Sequence, residues 1–198
     1  MSSVSETIVR EYFELHEFLV RQHRKYLVQT RREDDDIDFF VLNPKPETSG
    51  VPLPFVLGSA ELPRVERAIV AVKGWHTETF SPAVLTKATE ILSFVQPGTF
   101  KQAAKAFGAG GTPLKILVVP ALPGGAEAQE QSIALLRSKG IDAVIPFRTM
   151  LTELIDKTET NRNYQKSDLL QVIRILKNYE FFKDPQMELF KARKNRRS

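Results

Sequence analysis

The order of apolar segments predicts an α/β protein with a mixed central β-sheet flanked by helices. Three observations carry this expectation. Short apolar runs suited to strands recur along the chain: "IDFFVLNP" (37–44), "RAIVAVKGW" (67–75), "LKILVVPAL" (114–122) and "IDAVIPF" (141–147). The early ones follow one another directly, which suggests antiparallel pairing. The later ones alternate with helix-like segments, the pattern of parallel crossovers.

Taken in order, residues 4–17 predict an amphipathic helix. Val4, Ile8, Tyr12 and Leu15 form one stripe, with Val9 and Phe13 beside it. "FLVRQHRKYLV" (18–28) reads as a strand or a bent strand pair, and "RREDDD" (31–36) as a polar turn. Asn43-Pro44 stops the next strand. Residues 45–64 are rich in proline and read as an irregular excursion. After the strand at 67–75, Ser81-Pro82 opens a helix whose core face is Leu85, Ala88, Leu92 and Val95. "GAGGTP" (108–113) is a flexible connection. The run at 114–122 is apolar almost throughout, as expected of a strand covered on both faces. A helix then runs to about Lys139, where Gly140 is a good stop. A short helix over about 149–157 follows the last strand. Ser167 caps a final helix facing inward through Leu169, Leu170, Ile173 and Leu176. Residues 1–180 form one expected domain, and 181–198 a basic tail.

Composition bounds the function. The 198 residues are 42% apolar and 26% charged, ordinary for a globular chain with a sizeable core. There is no apolar run of membrane-spanning length and no secretory signal pattern, so neither a membrane nor export is expected. The absence of cysteine excludes disulfides, thiolate nucleophiles and zinc–thiolate sites, and accords with a cytoplasmic setting. Net charge is +4, and much of the excess sits in "KARKNRRS" at the C-terminus. Such a tail suits anionic surfaces.

The informative stretch is "AVKGWHTE". Lys73 ends an apparently buried strand, followed by Gly74, by the chain's one tryptophan, Trp75, and by His76. On the preceding strand Asp38 stands in the apolar context "IDFFV". A buried carboxylate and a buried ammonium are each costly alone. They are tolerated near each other, near a metal or at a wet sheet edge.

An aspartate on one strand and x-V-K on the next resemble the PD-(D/E)xK nuclease superfamily, the restriction-endonuclease-like fold with its α-β-β-β-α-β core. The likeness covers roughly residues 4–147. It implies hydrolysis of DNA phosphodiester bonds with Mg²⁺ or Mn²⁺, DNA being favoured over RNA. Asp38 and Glu11 would be metal ligands, with Glu14 a second candidate on the first helix, and Lys73 would support the phosphate. The departure is Ala71, which stands where the family carries an acid or glutamine two residues before the lysine. Three explanations compete: loss of the acid with retention of the fold, substitution by another acid such as Glu11, Glu14, Glu66 or Glu78, or a deliberate Glu-to-Ala inactivation. The chain is an enzyme only if that site works. The alternative is a non-catalytic nucleic-acid-binding or assembly module.

Arg21, Arg24, Lys25, Trp75 and His76 are candidate nucleic-acid contacts, cations for the backbone and the indole for a base. A homodimer or a partner protein is a further expectation. The three histidines are too scattered for zinc. "GAGGTP" lacks the lysine of a phosphate loop, and "EDDD" (33–36) reads as a solvated turn.

Overall fold

The computed structural model describes residues 3–22, 37–108 and 111–182. The elements are α1 (Ser3–Leu15), β1 (Leu19–Gln22), β2 (Phe39–Leu42), β3 (Arg67–Val72), α2 (Pro82–Lys87), α3 (Pro97–Lys105), β4 (Leu114–Val119), α4 (Ala126–Ser138), β5 (Ala143–Pro146), α5 (Phe147–Lys157) and α6 (Asp168–Asn178). The chain divides into two compact units, residues 1–153 and 154–198. No described helix is long and apolar enough to cross a membrane.

The N-terminal unit is built on a five-stranded mixed sheet in the order β1-β2-β3-β4-β5. β1, β2 and β3 form an antiparallel meander, and β3, β4 and β5 run parallel. The α/β expectation is met at this level. β3 and β4 are central and buried on both faces, which explains their near-continuous apolar runs. Edge strand β1 instead alternates exposed and half-buried positions.

Each face of the sheet is covered. Phe40, Ile69, Ala71, Leu117 and Val144 share one apolar cluster with Phe80, Ile91, Phe94 and Leu136. Each large side chain so buried contributes about 1.5–3 kcal/mol. The alternate residues Phe39, Val70, Val72, Ile116 and Val118 are equally buried but lie outside that cluster, so they form the other face, where α1 contacts β3.

The α1 stripe is rotated from the expected one. Val4 and Leu15 are exposed, and Ser5, Ile8, Val9, Tyr12 and Phe13 are buried. Close approach to the sheet explains the serine. A Cβ on Gly74 would fall within 2.4 Å of Ser5 Oγ, so a small residue is required on both sides. Tyr12 Oη lies 3.0 Å from Ser59 Oγ, and burial raises its pKa.

The helix expected from Ser81 is broken into three. Ser81 Oγ accepts from Val84 N–H, and Pro82 occupies the first turn, as read from the sequence. The helix then ends at Ala88 (φ −95°, ψ 69°), a 3-10 helix covers Thr89–Val95, and α3 begins at Pro97. Pro97 bars the α conformation at Gln96 (φ −59°, ψ 142°), which the apolar spacing could not reveal. The proline-rich excursion is also more ordered than expected. Val144 N–H donates to Phe55 O, and Leu57 N–H to Val144 O, so residues 55–57 strap the open edge of β5.

α1 and α4 end alike. After α1, Glu17 takes φ 62°, and Phe18 N–H donates to Phe13 O. After α4, Gly140 takes φ 88°, and Ile141 N–H donates to Leu136 O. In both, the apolar residue that follows is buried.

In the C-terminal unit, Ser167 caps α6 as expected, accepting from Leu170 N–H. Lys177 Nζ donates to the carbonyls of Ile155, Asp156 and Thr158, satisfying the end of α5. Arg174 Nε donates to Thr160 O.

Two stability outcomes test this description. Gly74→Ala is expected to cost about 1–3 kcal/mol in urea unfolding, and the Ser5→Gly/Gly74→Ala pair to recover most of it. Glu17→Gly is expected to stabilise by about 1 kcal/mol, because glycine adopts the left-handed conformation without a Cβ penalty.

Candidate functional site

β2 begins and β3 ends at the same margin of the sheet, and the candidate site is there. Asp38 N–H donates to Val70 O (2.9 Å), and Asp38 Oδ2 accepts from Val72 N–H (2.6 Å). The side chain thus extends the ladder one step past its last backbone pair, Phe39–Val70. Lys73 follows directly, its own N–H donating to Val118 O at 3.1 Å. Both side chains are buried, Asp38 to 8% and Lys73 to 6% exposure. The Asp38 carboxylate thus bonds the backbone of the residue next to Lys73.

α1 meets this margin through its first turns. Ser5 Oγ lies 3.0 Å from His76 Nε2, and the His76 ring meets Phe147 edge-on at 4.6 Å. Glu6, the next residue, accepts a 2.6 Å hydrogen bond from Gln22 Nε2 at the end of β1. Because Gln22 pairs with Phe39, the Glu6 carboxylate stands at the same end of the sheet as Asp38. The sequence reading passed over Glu6, because an acid in the first turn is a common complement to the helix dipole.

Glu11 is placed differently. It lies six residues beyond Ser5, about 9 Å further along the helix axis at 1.5 Å per residue, and so away from that margin. It is buried, with Arg10 Nη2 3.6 Å from its carboxylate. Glu14 is exposed, and its pKa is raised, first by desolvation and then by the neighbouring Glu11.

The remaining candidates scatter. Arg21 is exposed on edge strand β1, opposite Phe40, beside a cleft of about 250 Å³ walled by Leu19, Leu42 and Phe107. Trp75 is half-buried, packs edge-on against Phe80 at 5.8 Å, and forms one wall of an open groove with Val84 and Lys87. Arg24, Lys25 and the acidic run 33–36 lie outside the described residues.

The donor set limits what a metal would find. Ala71 is fully buried among Phe40, Ile69 and Leu117 and brings no oxygen. Among the described residues, no group of three or more histidine, aspartate or glutamate side chains gathers as metal ligands. Asp38 offers one carboxylate at the margin, with Glu6 at the same end. That suits Mg²⁺, which binds through one or two carboxylates, keeps several waters and takes further oxygens from a phosphate. It does not suit a cage built from protein alone.

Searches of family models, curated proteins and solved structures gave no match to this chain.

Removing the Asp38 acceptor tests the margin. Asp38→Ala leaves Val72 N–H unpaired, with an expected loss of about 1–3 kcal/mol in urea unfolding. Asp38→Asn keeps an acceptor and is expected to lose less. Equal losses would show that this hydrogen bond contributes nothing to stability.

Proposed function

We propose that the N-terminal unit is a nuclease-like domain of the PD-(D/E)xK type, acting on DNA phosphodiester bonds with Mg²⁺ or Mn²⁺. The observation that carries this reading is the hydrogen bond from Val72 N–H to Asp38, which seats a buried carboxylate beside a buried lysine at one sheet margin. The order of a helix, a three-stranded meander, helices and a further parallel strand supports it, since the resemblance implies that sequence of elements.

Asp38 would hold the metal, Lys73 would stabilise charge on the attacked phosphate, and Gly74 lets the chain leave the margin closely beneath Ser5. A bound metal would supply a water acidic enough to attack near neutral pH. Glu6 is the α1 acid at this end of the sheet, and Glu11 is the one the resemblance nominated.

Ala71 favours a second reading, a nuclease fold kept as a non-catalytic nucleic-acid-binding or assembly module. Its complete burial in an apolar cluster suits packing better than ligation.

Cleavage of a mixed single- and double-stranded DNA pool separates the two. The first reading expects cleavage that requires Mg²⁺ or Mn²⁺ and falls about 100-fold or more in Lys73→Ala and Asp38→Asn. Activity confined to Ala71→Glu would locate the deficit at one missing ligand. No cleavage by either chain, with salt-sensitive DNA binding retained, would replace the first reading with the second.

A further inference from the structure

The turn that follows β3 folds an imidazole back against the sheet margin. Glu78 N–H donates to Trp75 O (2.8 Å), which puts His76 and Thr77 at the centre of a β-turn. The His76 ring is then fixed on two sides. Its Nε2 lies 3.0 Å from Ser5 Oγ, and the ring meets buried Phe147 edge-on at 4.6 Å. A Cβ on Gly74 would fall 3.6 Å from the same Nε2, so the ring stands against the backbone next to Lys73.

Burial decides which atom donates. Ser5 is fully buried, and among the described residues its hydroxyl has no partner besides His76. If Oγ only accepted, its hydrogen would be buried unpaired. The hydroxyl therefore donates to Nε2, and the neutral ring carries its proton on Nδ1. That Nδ1–H has no acceptor among the described residues, and His76 is exposed. A ring kept for packing alone needs no free donor.

The chemistry of the margin names the ligand. A nitrogen that carries a proton donates and does not ligate a metal. The carboxylates at this end already accept hydrogen bonds, Asp38 from Val72 N–H and Glu6 from Gln22 Nε2. The group that the nuclease-like reading brings here is a phosphodiester, whose oxygens only accept. We propose that His76 binds substrate through its Nδ1–H to a DNA phosphate oxygen, with Ser5 holding the tautomer. This rests on the nuclease-like reading and adds to it a contact separate from Lys73.

Two amides that imitate the two ring nitrogens separate this role from a structural one. The amide nitrogen of asparagine is bonded to Cγ, as Nδ1 is, and that of glutamine lies one bond further out, as Nε2 does. The test uses the full chain and fluorescence anisotropy with labelled dT20, Ca²⁺ replacing Mg²⁺ to hold the complex uncleaved. His76→Gln is expected to weaken binding about tenfold and His76→Asn less than about twofold. A role confined to the Ser5 contact predicts the opposite order. That order, or no difference between the two variants, would overturn the proposal. The side chain is exposed, so both variants are expected to fold, which circular dichroism checks. Long-range ¹H–¹⁵N spectra give a second readout, since the chain has three histidines and His76→Asn identifies this one. The expected result is a proton on Nδ1, a bare Nε2, and a shift of Nδ1 when dT20 is added. A proton on Nε2 alone, or no shift, would also sink the proposal. The two readings fail separately. Cleavage without a His76 shift keeps the nuclease-like reading and removes this contact. Binding and a shift without cleavage, in this chain and in Ala71→Glu alike, do the reverse.

Discussion

The hydrogen bond between the Asp38 carboxylate and the Val72 amide is the constraint on which the sheet margin depends. A ladder that stops leaves donors without partners, and at a buried margin water is not freely available to take them. Here a charged acceptor takes that place, which is stronger than a neutral one. It also fixes where β3 can end. Lys73 is therefore held at the margin by the same contact that satisfies the backbone.

Burying two opposite charges seldom stabilises a fold relative to apolar residues of the same shape. Their presence at the end of two otherwise apolar strands is what the proposed nuclease-like reading would explain by use. The surrounding packing is close. α1 crosses the margin through Ser5 and Gly74, where neither position has room for a larger group. His76 is held between Ser5 and Phe147. The other face is filled by aromatic and aliphatic side chains down to Ala71.

Much of the sheet was legible because strand patterns are short and contrasted. The meander followed from consecutive strands, and the parallel half from their alternation with helices. Asp38 and Lys73 stood out as charges in apolar runs. What was hidden depended on distance or on one residue. Glu6 resembled an ordinary helix-start acid, and only its bond to Gln22 places it at the margin. The stripe of α1 was misjudged because a serine, Ser5, lies on the buried face while valine and leucine lie outside. The helix after Ser81 had the right apolar spacing, but Ala88 and Pro97 divide it. The strap at 55–57 joins residues far apart in sequence, and composition alone gave no sign of it.

That strap has a kinetic consequence. Its partner, Val144, belongs to the last strand of the sheet, so residues 55–57 bridge two segments far apart in the chain. A contact of such long sequence separation carries a loop-closure cost that is recovered late in folding. Held by two backbone hydrogen bonds, it is also suited to open before the sheet behind it yields. Its release would bare the backbone of β5, and a bare strand edge invites another chain. The proline-rich segment that looked structureless is thus the chain's guard against intermolecular β-pairing on that side.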